Sequence, residues 1–304
     1  MGWRCAGLSW PDDGPVLTWR RSGRAGPGRV SALAYGKELG FRAEGERHCV
    51  GARGNVCPVG AVVPVRSTGA RCAECGRLDR AHSVAADTRA DDPRPYRVYL
   101  AWFGPGMVKV GITGEARDAA RLREQGAVLF SWLGRGPLMA ARRTEELLRT
   151  ALGVPDRIPY ARKRAVRGAL PGPAERAAEM AALYGRAVAL EGAGWPEALE
   201  RLPFDAVDHG RLFGLEGAGS AGLVPAEAGP GVRVVTGLAD GGVVAGRLLA
   251  AAGPDLYLET RADGVVVVDT RLITGWDLVG ADARAGVTVP VAGVGAGGVQ
   301  DGLF

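Results

Sequence analysis

A chain of 304 residues, 47% hydrophobic and 23% charged, has the make-up of a globular protein of about two domains, which excludes collagenous, disordered and heptad-dominated classes. No apolar run approaches the ~20 residues that cross a bilayer, and no secretory core follows Met1-Gly2-Trp3-Arg4-Cys5, so the expected setting is cytoplasmic, with no membrane partner. The net charge of +5 divides as +5 over residues 1–96, +6 over 97–204 and −6 over 205–304, and a basic front with an acidic tail suits a nucleic-acid or phosphate ligand held by the first two thirds. Solvated arginine faces are the plainer reading of the same count. Lysine occurs only at Lys37, Lys109 and Lys163, and the abundance of Ala, Gly, Val and Arg is that of a GC-rich coding sequence.

The first segment, 1–93, alternates short apolar pieces (Val16 to Trp19, Val30 to Tyr35, Ala61 to Val65) with Gly and Pro and reads as short strands around a metal knot. Cys5 stands alone and is expected to be a buried small hydrophobe. Cys49, Cys57, Cys72 and Cys75 cluster, and without a secretory signal such clustering argues for metal before disulfides. Cys72-Ala73-Glu74-Cys75-Gly76 has knuckle spacing, since two thiolates two residues apart can meet one tetrahedral zinc ion. Cys49 and Cys57 are the expected second half of a structural zinc site, although their gap is long, and His48 or His82 could replace one cysteine. Reduced core cysteines or a redox pair are the alternatives. The polar stretch Asp91-Asp92-Pro93-Arg94-Pro95 marks a boundary.

The second segment, 94–204, opens with two strand-like runs, Arg97 to Phe103 and Met107 to Ile112, about the hairpin loop Gly104-Pro105-Gly106. With Phe103 facing Met107, the register sets Trp102, Leu100 and Val98 opposite Val108, Val110 and Ile112 on one apolar face. The other face then carries Tyr99 opposite Gly111 and Ala101 opposite Lys109, so a phenol, an ammonium and a glycine-made space share one surface. Glu115 to Gln125 predicts a helix capped by Thr113 that stacks Arg117 on Arg121. Ala127 to Leu133 predicts a third strand and Leu138 to Leu152 a helix ended by Gly153. On its wheel Glu145 edges the stripe of Ala140, Thr144, Leu147, Leu148 and Ala151, whereas Glu146 points outward toward Arg142 and Arg149. Arg162, Lys163, Arg164 and Arg167 form a basic run expected to contact nucleic acid together with Arg117, and Ala174 to Leu190 predicts a further amphipathic helix.

The third segment, 205–304, is rich in Val and Gly. Its turns at Ala239 to Gly242, Gly253 to Asp255 and Ala262 to Gly264 suggest a small antiparallel barrel or sandwich without a cluster of catalytic residue types. The expected fold class is therefore α+β: a zinc-binding β-rich segment, a central α/β domain with a small antiparallel sheet, and an acidic β domain. The sequence does not specify an oligomeric state.

Across residues 95–155, Arg97-Val98-Tyr99, Lys109-Val110-Gly111 and the arginine helix make the segment resemble the GIY-YIG nuclease superfamily. Tyr99 matches the first-motif tyrosine, Gly111 the closing glycine, Arg121 or Arg117 the helix arginine, and Glu145 the metal-binding glutamate. Arg97 stands where the first glycine would be, and Lys109 where the second tyrosine would be, a lysine that some branches share. The order of cysteines, Val-Tyr-Leu, Lys-Val-Gly-Ile-Thr and Gln-Gly-Ala also resembles a bacterial family, domain of unknown function 2797, which carries no activity with it. What the superfamily resemblance implies is phosphodiester hydrolysis assisted by Mg²⁺ or Mn²⁺ on Glu145, with Tyr99 relaying a proton, Arg121 stabilising the phosphorus and Lys109 assisting. A nucleic-acid-binding module without cleavage, and an enzyme using the same pocket on a small anionic substrate, are the other two function classes.

Overall fold

The computed structural model describes residues 2–22, 26–81, 94–155, 157–190, 192, 194–216, 223 and 232–294. Four strands open the chain, β1 (Trp3–Ser9), β2 (Val16–Arg21), β3 (Arg29–Ala32) and β4 (Glu38–Glu44), followed by helix α1 (Ala73–Arg80). The middle holds β5 (Tyr96–Gly104), β6 (Met107–Gly114), α2 (Ala120–Gln125), β7 (Leu129–Gly136), α3 (Leu138–Leu152), α4 (Tyr160–Val166), α5 (Pro173–Val188), β8 (Glu200–Arg201) and β9 (Val207–Asp208). The end supplies β10 (Arg233–Val235), β11 (Val243–Ala252), β12 (Asp255–Thr260), β13 (Gly264–Asp269), the short α6 (Thr270–Ile273), β14 (Asp277–Gly280) and β15 (Val291–Gly293). Two units result: unit one takes Met1–Ala86 with Leu212–Gly297, and unit two takes Asp87–Arg211. No helix among the described residues is long and apolar enough to cross a membrane.

Unit one is a mixed sheet of ten strands in the order β15-β10-β13-β12-β11-β4-β14-β1-β2-β3. All pairings along it are antiparallel except β10 with β13. Alternation explains β4, where Phe41 and Ala43 are buried between exposed Arg42 and Glu44. Both edges of β4 find late partners: β11 pairs from Val243↔Arg42 to Arg247↔Glu38, and β14 from Asp277↔Glu44 to Gly280↔Phe41. Because those pairings consume the late strands, the expected C-terminal barrel or sandwich does not form. The first and third segments instead share one open sheet, with no barrel closed among the described residues. The turns anticipated at 239–242, 253–255 and 262–264 do separate these strands. Ala61 to Val65 is not a strand and contributes one bridge, Val62 to His48.

Arg47 follows β4 and is buried, with four hydrogen bonds to carbonyl oxygens: Thr274 (2.9 Å), Pro64 (2.6 Å), Ser67 (2.6 Å) and Arg271 (2.7 Å). Burial lowers its pKa to about 10, with Asp269 opposing the fall, so the guanidinium stays charged at neutral pH.

Unit two centres on β5, which lies between β6 and β7 in a sheet ordered β6-β5-β7-β8, with β9 also on β7. The register is the anticipated one from Val98↔Ile112 to Trp102↔Val108, including Tyr99↔Gly111 and Ala101↔Lys109. A bulge beyond Trp102 makes Gly104, rather than Phe103, face Met107. On one face Trp102 donates to Glu179 of α5 (2.8 Å), and α5 buries Met180, Leu183 and Ala187. On the other, Tyr99, Ala101 and Phe103 pack with Leu122, Phe130 and Ile158. Helix α3 runs over the anticipated span and ends at Gly153 in the left-handed conformation. The anticipated helix from Glu115 breaks: Glu115–Arg117 is one turn of 3-10 helix, Asp118 has φ 39°, and the α-helix starts only at Ala120. Thr113 is buried in β6 and caps nothing.

His209 is buried, donates from Nδ1 to the Ala127 carbonyl (2.9 Å) and stacks near Phe130 at 5.2 Å. Burial lowers its pKa, and the Ala127 bond only partly opposes this. A folded pKa below the unfolded one means the contribution to stability is complete above the unfolded value of ~6.5 and is lost as pH falls below it. Denaturant midpoints between about pH 7.5 and 5.5 are expected to fall more steeply for wild type than for His209→Asn, and equal slopes would refute the assignment.

Candidate functional site

Two side-chain constellations carry chemistry, one in each unit. In unit one the Sγ atoms of Cys49, Cys57, Cys72 and Cys75 lie within 4.8 Å of one another, with Cys57 and Cys72 at 3.9 Å. Thiolates about 2.3 Å from a tetrahedral zinc ion stand roughly 3.8 Å apart, so the four sulfurs suit that ion. The chain builds the cluster in two halves. Cys72 occupies the N-cap of α1 and Cys75 its first turn, which places both sulfurs at the positive end of a helix. The other half is a tight loop whose Gly51 has φ 78°, and a Cβ there would lie 1.8 Å from the Asn55 carbonyl oxygen. Amide hydrogens of Gly51 (3.3 Å) and Cys72 (3.2 Å) both point at Cys49 Sγ, the kind of hydrogen bonding that orients a metal-bound thiolate. His48 instead bonds the Gly60 carbonyl through Nδ1 (2.9 Å), and the set is four cysteines. His82 lies outside the described residues. Cys5 is fully buried, and burial raises its thiol to about 12.

In unit two the site is built around Tyr99, 2% exposed on the central strand. Its ring lies over Gly111, where a Cβ would fall 2.4 Å from the phenol oxygen, so the glycine-made space is filled by the tyrosine itself. Gln125, at the end of α2, donates from Nε2 to that oxygen (3.0 Å). Lys109 Nζ stands 5.9 Å from the ring centre. Burial raises the Tyr99 pKa. The Gln125 bond and the charge of Arg121 work against the rise, and the charge of Glu145 adds to it. Lys109 and Arg121 line one cavity with Gln125, the partner of Tyr99, and Glu145 lies on α3, which packs on β5 and β6.

A cavity of about 380 Å³ is lined by Lys109, Arg121, Glu124, Gln125, Arg157, Tyr160 and Lys163, among others, and the phenol adjoins it through Gln125. Arg117 does not stack on Arg121 as expected. It holds Glu124 with two bonds (2.7 and 2.8 Å), and Arg121 approaches the same carboxylate at 3.8 Å. Arg97 is bound to Glu115 (2.9 Å) and Asp118 (3.0 Å), and with Arg135 it lowers the Glu115 pKa. Glu146 faces solvent and pairs with Arg149 at 2.7 Å, as the wheel requires.

The basic run is divided by α4. Arg162 is exposed and Arg164 half-buried, whereas Lys163 and Arg167 are each 4% exposed. Lys163 Nζ donates to the Gln125 carbonyl (2.9 Å) above the Phe103 ring (3.9 Å), and Arg167 donates to the carbonyls of Phe103 (3.4 Å) and Gly126. Those two cations tie α4 to the end of α2 and to β5, and Lys163 also lines the cavity. Gln125, Arg157 and Tyr160 had no sequence signal as site residues, except that Gln125 opens the Gln-Gly-Ala element.

The sequence signature of the family described as "protein of unknown function (DUF2797)" matches residues 36–278. The chain belongs to that family. No curated protein and no solved structure matches it. The matched span takes in both constellations, from Cys49 to Glu145.

Freshly purified, reduced protein is expected to contain about one zinc per chain by elemental analysis, lost in Cys72→Ser and kept in Cys5→Ser. A metal-free wild type would overturn the site. Gly111→Ala is expected to displace the phenol and destabilise the protein by roughly 1–3 kcal/mol, read from denaturant midpoints.

Proposed function

We propose that unit two binds nucleic-acid phosphodiesters in the cavity beside Tyr99, in a protein whose cysteine loop is held by a structural zinc ion. The observation that carries this reading is the charge of the cavity. Lys109, Arg121 and Arg157 line it, and the carboxylate among its lining residues, Glu124, already accepts two bonds from Arg117. Cations in a partly enclosed space concentrate anions, and guanidinium groups match phosphate oxygens two at a time. Four cysteines around one ion leave no open coordination position, so the zinc would fold the loop and not react.

Hydrolysis of the bound phosphodiester is the second reading, favoured by α3, which carries Glu145, packing on β5 and β6, which carry Tyr99 and Lys109. The resemblance to the GIY-YIG superfamily implies a tyrosine and a second motif on successive strands and an arginine and a glutamate on later helices, and Tyr99 on β5, Lys109 on β6, Arg121 on α2 and Glu145 on α3 support this reading. A half-buried carboxylate with water and phosphate oxygens suits Mg²⁺ or Mn²⁺, so Glu145 would hold the ion, which when bound neutralises charge on the leaving oxygen. Tyr99 would relay a proton, its oxygen taking one from the attacking water as its own hydroxyl proton passes to a phosphate oxygen, while Arg121 and Lys109 stabilise charge at phosphorus.

Lys109→Gln with Arg121→Gln is expected to weaken binding of a ~20-nucleotide oligonucleotide and to lower the slope of log K against log salt by roughly 1 to 2. Wild type that binds no DNA or RNA at low salt would reject the proposal and leave a small anionic substrate as the class to test. In a cleavage screen with Mg²⁺ and Mn²⁺, Tyr99→Phe and Glu145→Gln are expected to lose about 10²-fold in turnover, with Glu146→Gln unchanged. No cleavage by wild type on duplex, branched or single-stranded substrates would remove the hydrolytic reading alone.

A further inference from the structure

The outer strands of unit one carry a second arrangement of cations, chemically unlike the cavity. The pairings Trp3↔Arg21, Cys5↔Trp19 and Trp19↔Arg29 place Trp3, Trp19, Arg21 and Arg29 on one face of β1, β2 and β3, because directly opposed residues project to the same side. That face is closed over Cys5 and Leu17 and opens toward the sheet edge, where Arg21 and Arg29 are exposed and the two indoles are half-buried. The Arg29 guanidinium lies 4.2 Å from the Trp3 ring centre and 5.7 Å from that of Trp19, and Arg21 lies 5.6 Å from Trp3.

A guanidinium held against an indole keeps its planar fork of N–H donors pointing outward and loses little further freedom when an anion arrives. Neither Arg21 nor Arg29 has a carboxylate or carbonyl partner among the described residues. The carboxylate near this part of β1, Asp277, is already held by Arg4 (2.9 Å) and Ser22 (2.8 Å). On the other side of the same edge, to which Thr18 and Arg20 project, a groove of about 620 Å³ is lined by Thr18, Trp19, Arg20, Arg29, Asn55 and Val56, among others, and none of its lining residues is acidic. Asn55 and Val56 belong to the loop between Cys49 and Cys57, so the zinc-organised loop forms one wall. The end strand β3 is exposed along its whole length, with Val30 66% exposed.

We infer that this edge, with Trp3, Trp19, Arg21 and Arg29, is a binding surface for single-stranded nucleic acid. Forks that meet no anion of the protein suit backbone phosphates, and flat guanidinium and indole faces suit unpaired bases, which present a π-face whatever their identity. A duplex offers the phosphates but keeps its base faces stacked. The inference stands apart from the reading of the unit-two cavity, and it is tested in a full-length background carrying Lys109→Gln and Arg121→Gln so that the two fail separately.

The measurement is fluorescence anisotropy of a labelled ~20-nucleotide oligo(dT) between about 50 and 200 mM NaCl. Adding Arg21→Gln and Arg29→Gln is expected to weaken binding roughly 10-fold and to lower the salt slope by about 1.4, two phosphate contacts at ~0.7 each. The pair Arg21→Lys and Arg29→Lys should keep most of that slope yet bind more weakly than arginine, since lysine retains charge without the planar fork. Unlabelled duplex of the same length should compete at least 10-fold less well than the single strand. Unchanged affinity and slope in the glutamine pair, full affinity in the lysine pair, or equal competition by duplex would each overturn the inference.

Discussion

Strand β4 takes partners on both edges from strands that lie far along the chain, and unit one is organised by that placement. Closing so long a loop costs little more entropy than closing one half its length, because the cost grows only with the logarithm. What the pairing must then do is fix position, and Arg47 carries it past the end of the strand. Four carbonyl oxygens from the 64–67 turn and the 271–274 segment converge on one buried guanidinium. Its charge-assisted bonds satisfy oxygens that burial would otherwise leave unpaired. The next amide, His48 N–H, bonds the Gly275 carbonyl at 2.8 Å, and Cys49 follows directly. The cysteine loop is therefore anchored to the sheet by bonds that do not involve its sulfurs. An ion would add its binding energy to a loop whose entry is already set.

In unit two the equivalent constraint is the absence of a side chain at Gly111. Two strands with buried faces leave no volume for a tyrosine ring unless its cross-strand partner yields the space. The ring that fills it is pinned by Gln125, whose own carbonyl is fixed by Lys163 and whose neighbour Gly126 receives Arg167. One end of α2, the phenol and α4 therefore form one packed group. The walls of the cavity belong to this group, so its shape follows from core packing and its charge from the residues left at the rim.

Local periodicity made much of this legible. The hairpin register, the span of α3 and the opposite facings of Glu145 and Glu146 follow from alternation and the helical wheel, which depend only on neighbours in sequence. The cysteine set was legible because chemistry restricts its partners. What local pattern does not encode is pairing between distant segments, so the acidic last third reads as a domain of its own although its strands complete the first sheet. The break at Asp118 was hidden for a related reason. The 3-10 turn is held by Glu115, which is claimed by Arg97 from β5 and Arg135 from β7, and those contacts override the local preference of 115–125 for one helix.

Charge counting misled most at the basic run, and the physical reason bears on how any partner should be sought. Unit two places Lys163, Arg167 and Arg176 inside, where they bond the carbonyls of Gln125, Phe103 and Gly126 or the carboxylate of Asp208. A cation spent on a carbonyl keeps its formal charge, but burial removes the exposed donors that a phosphate would need. Where arginine is the default cation, part of the positive total is internal scaffolding, and the informative cations are those whose N–H groups still face solvent. Two places among the described residues that meet the criterion and also gather several cations beside aromatic or polar walls are the rim of the cavity lined by Lys109 and Arg121 and the tryptophan-backed arginines at the edge of unit one. The first is concave and would meet one phosphate group at a time, whereas the second is a strip along a strand edge that would suit a chain of them. A small enclosed anion would distinguish the cavity from the strip, and an extended polyanion would engage both.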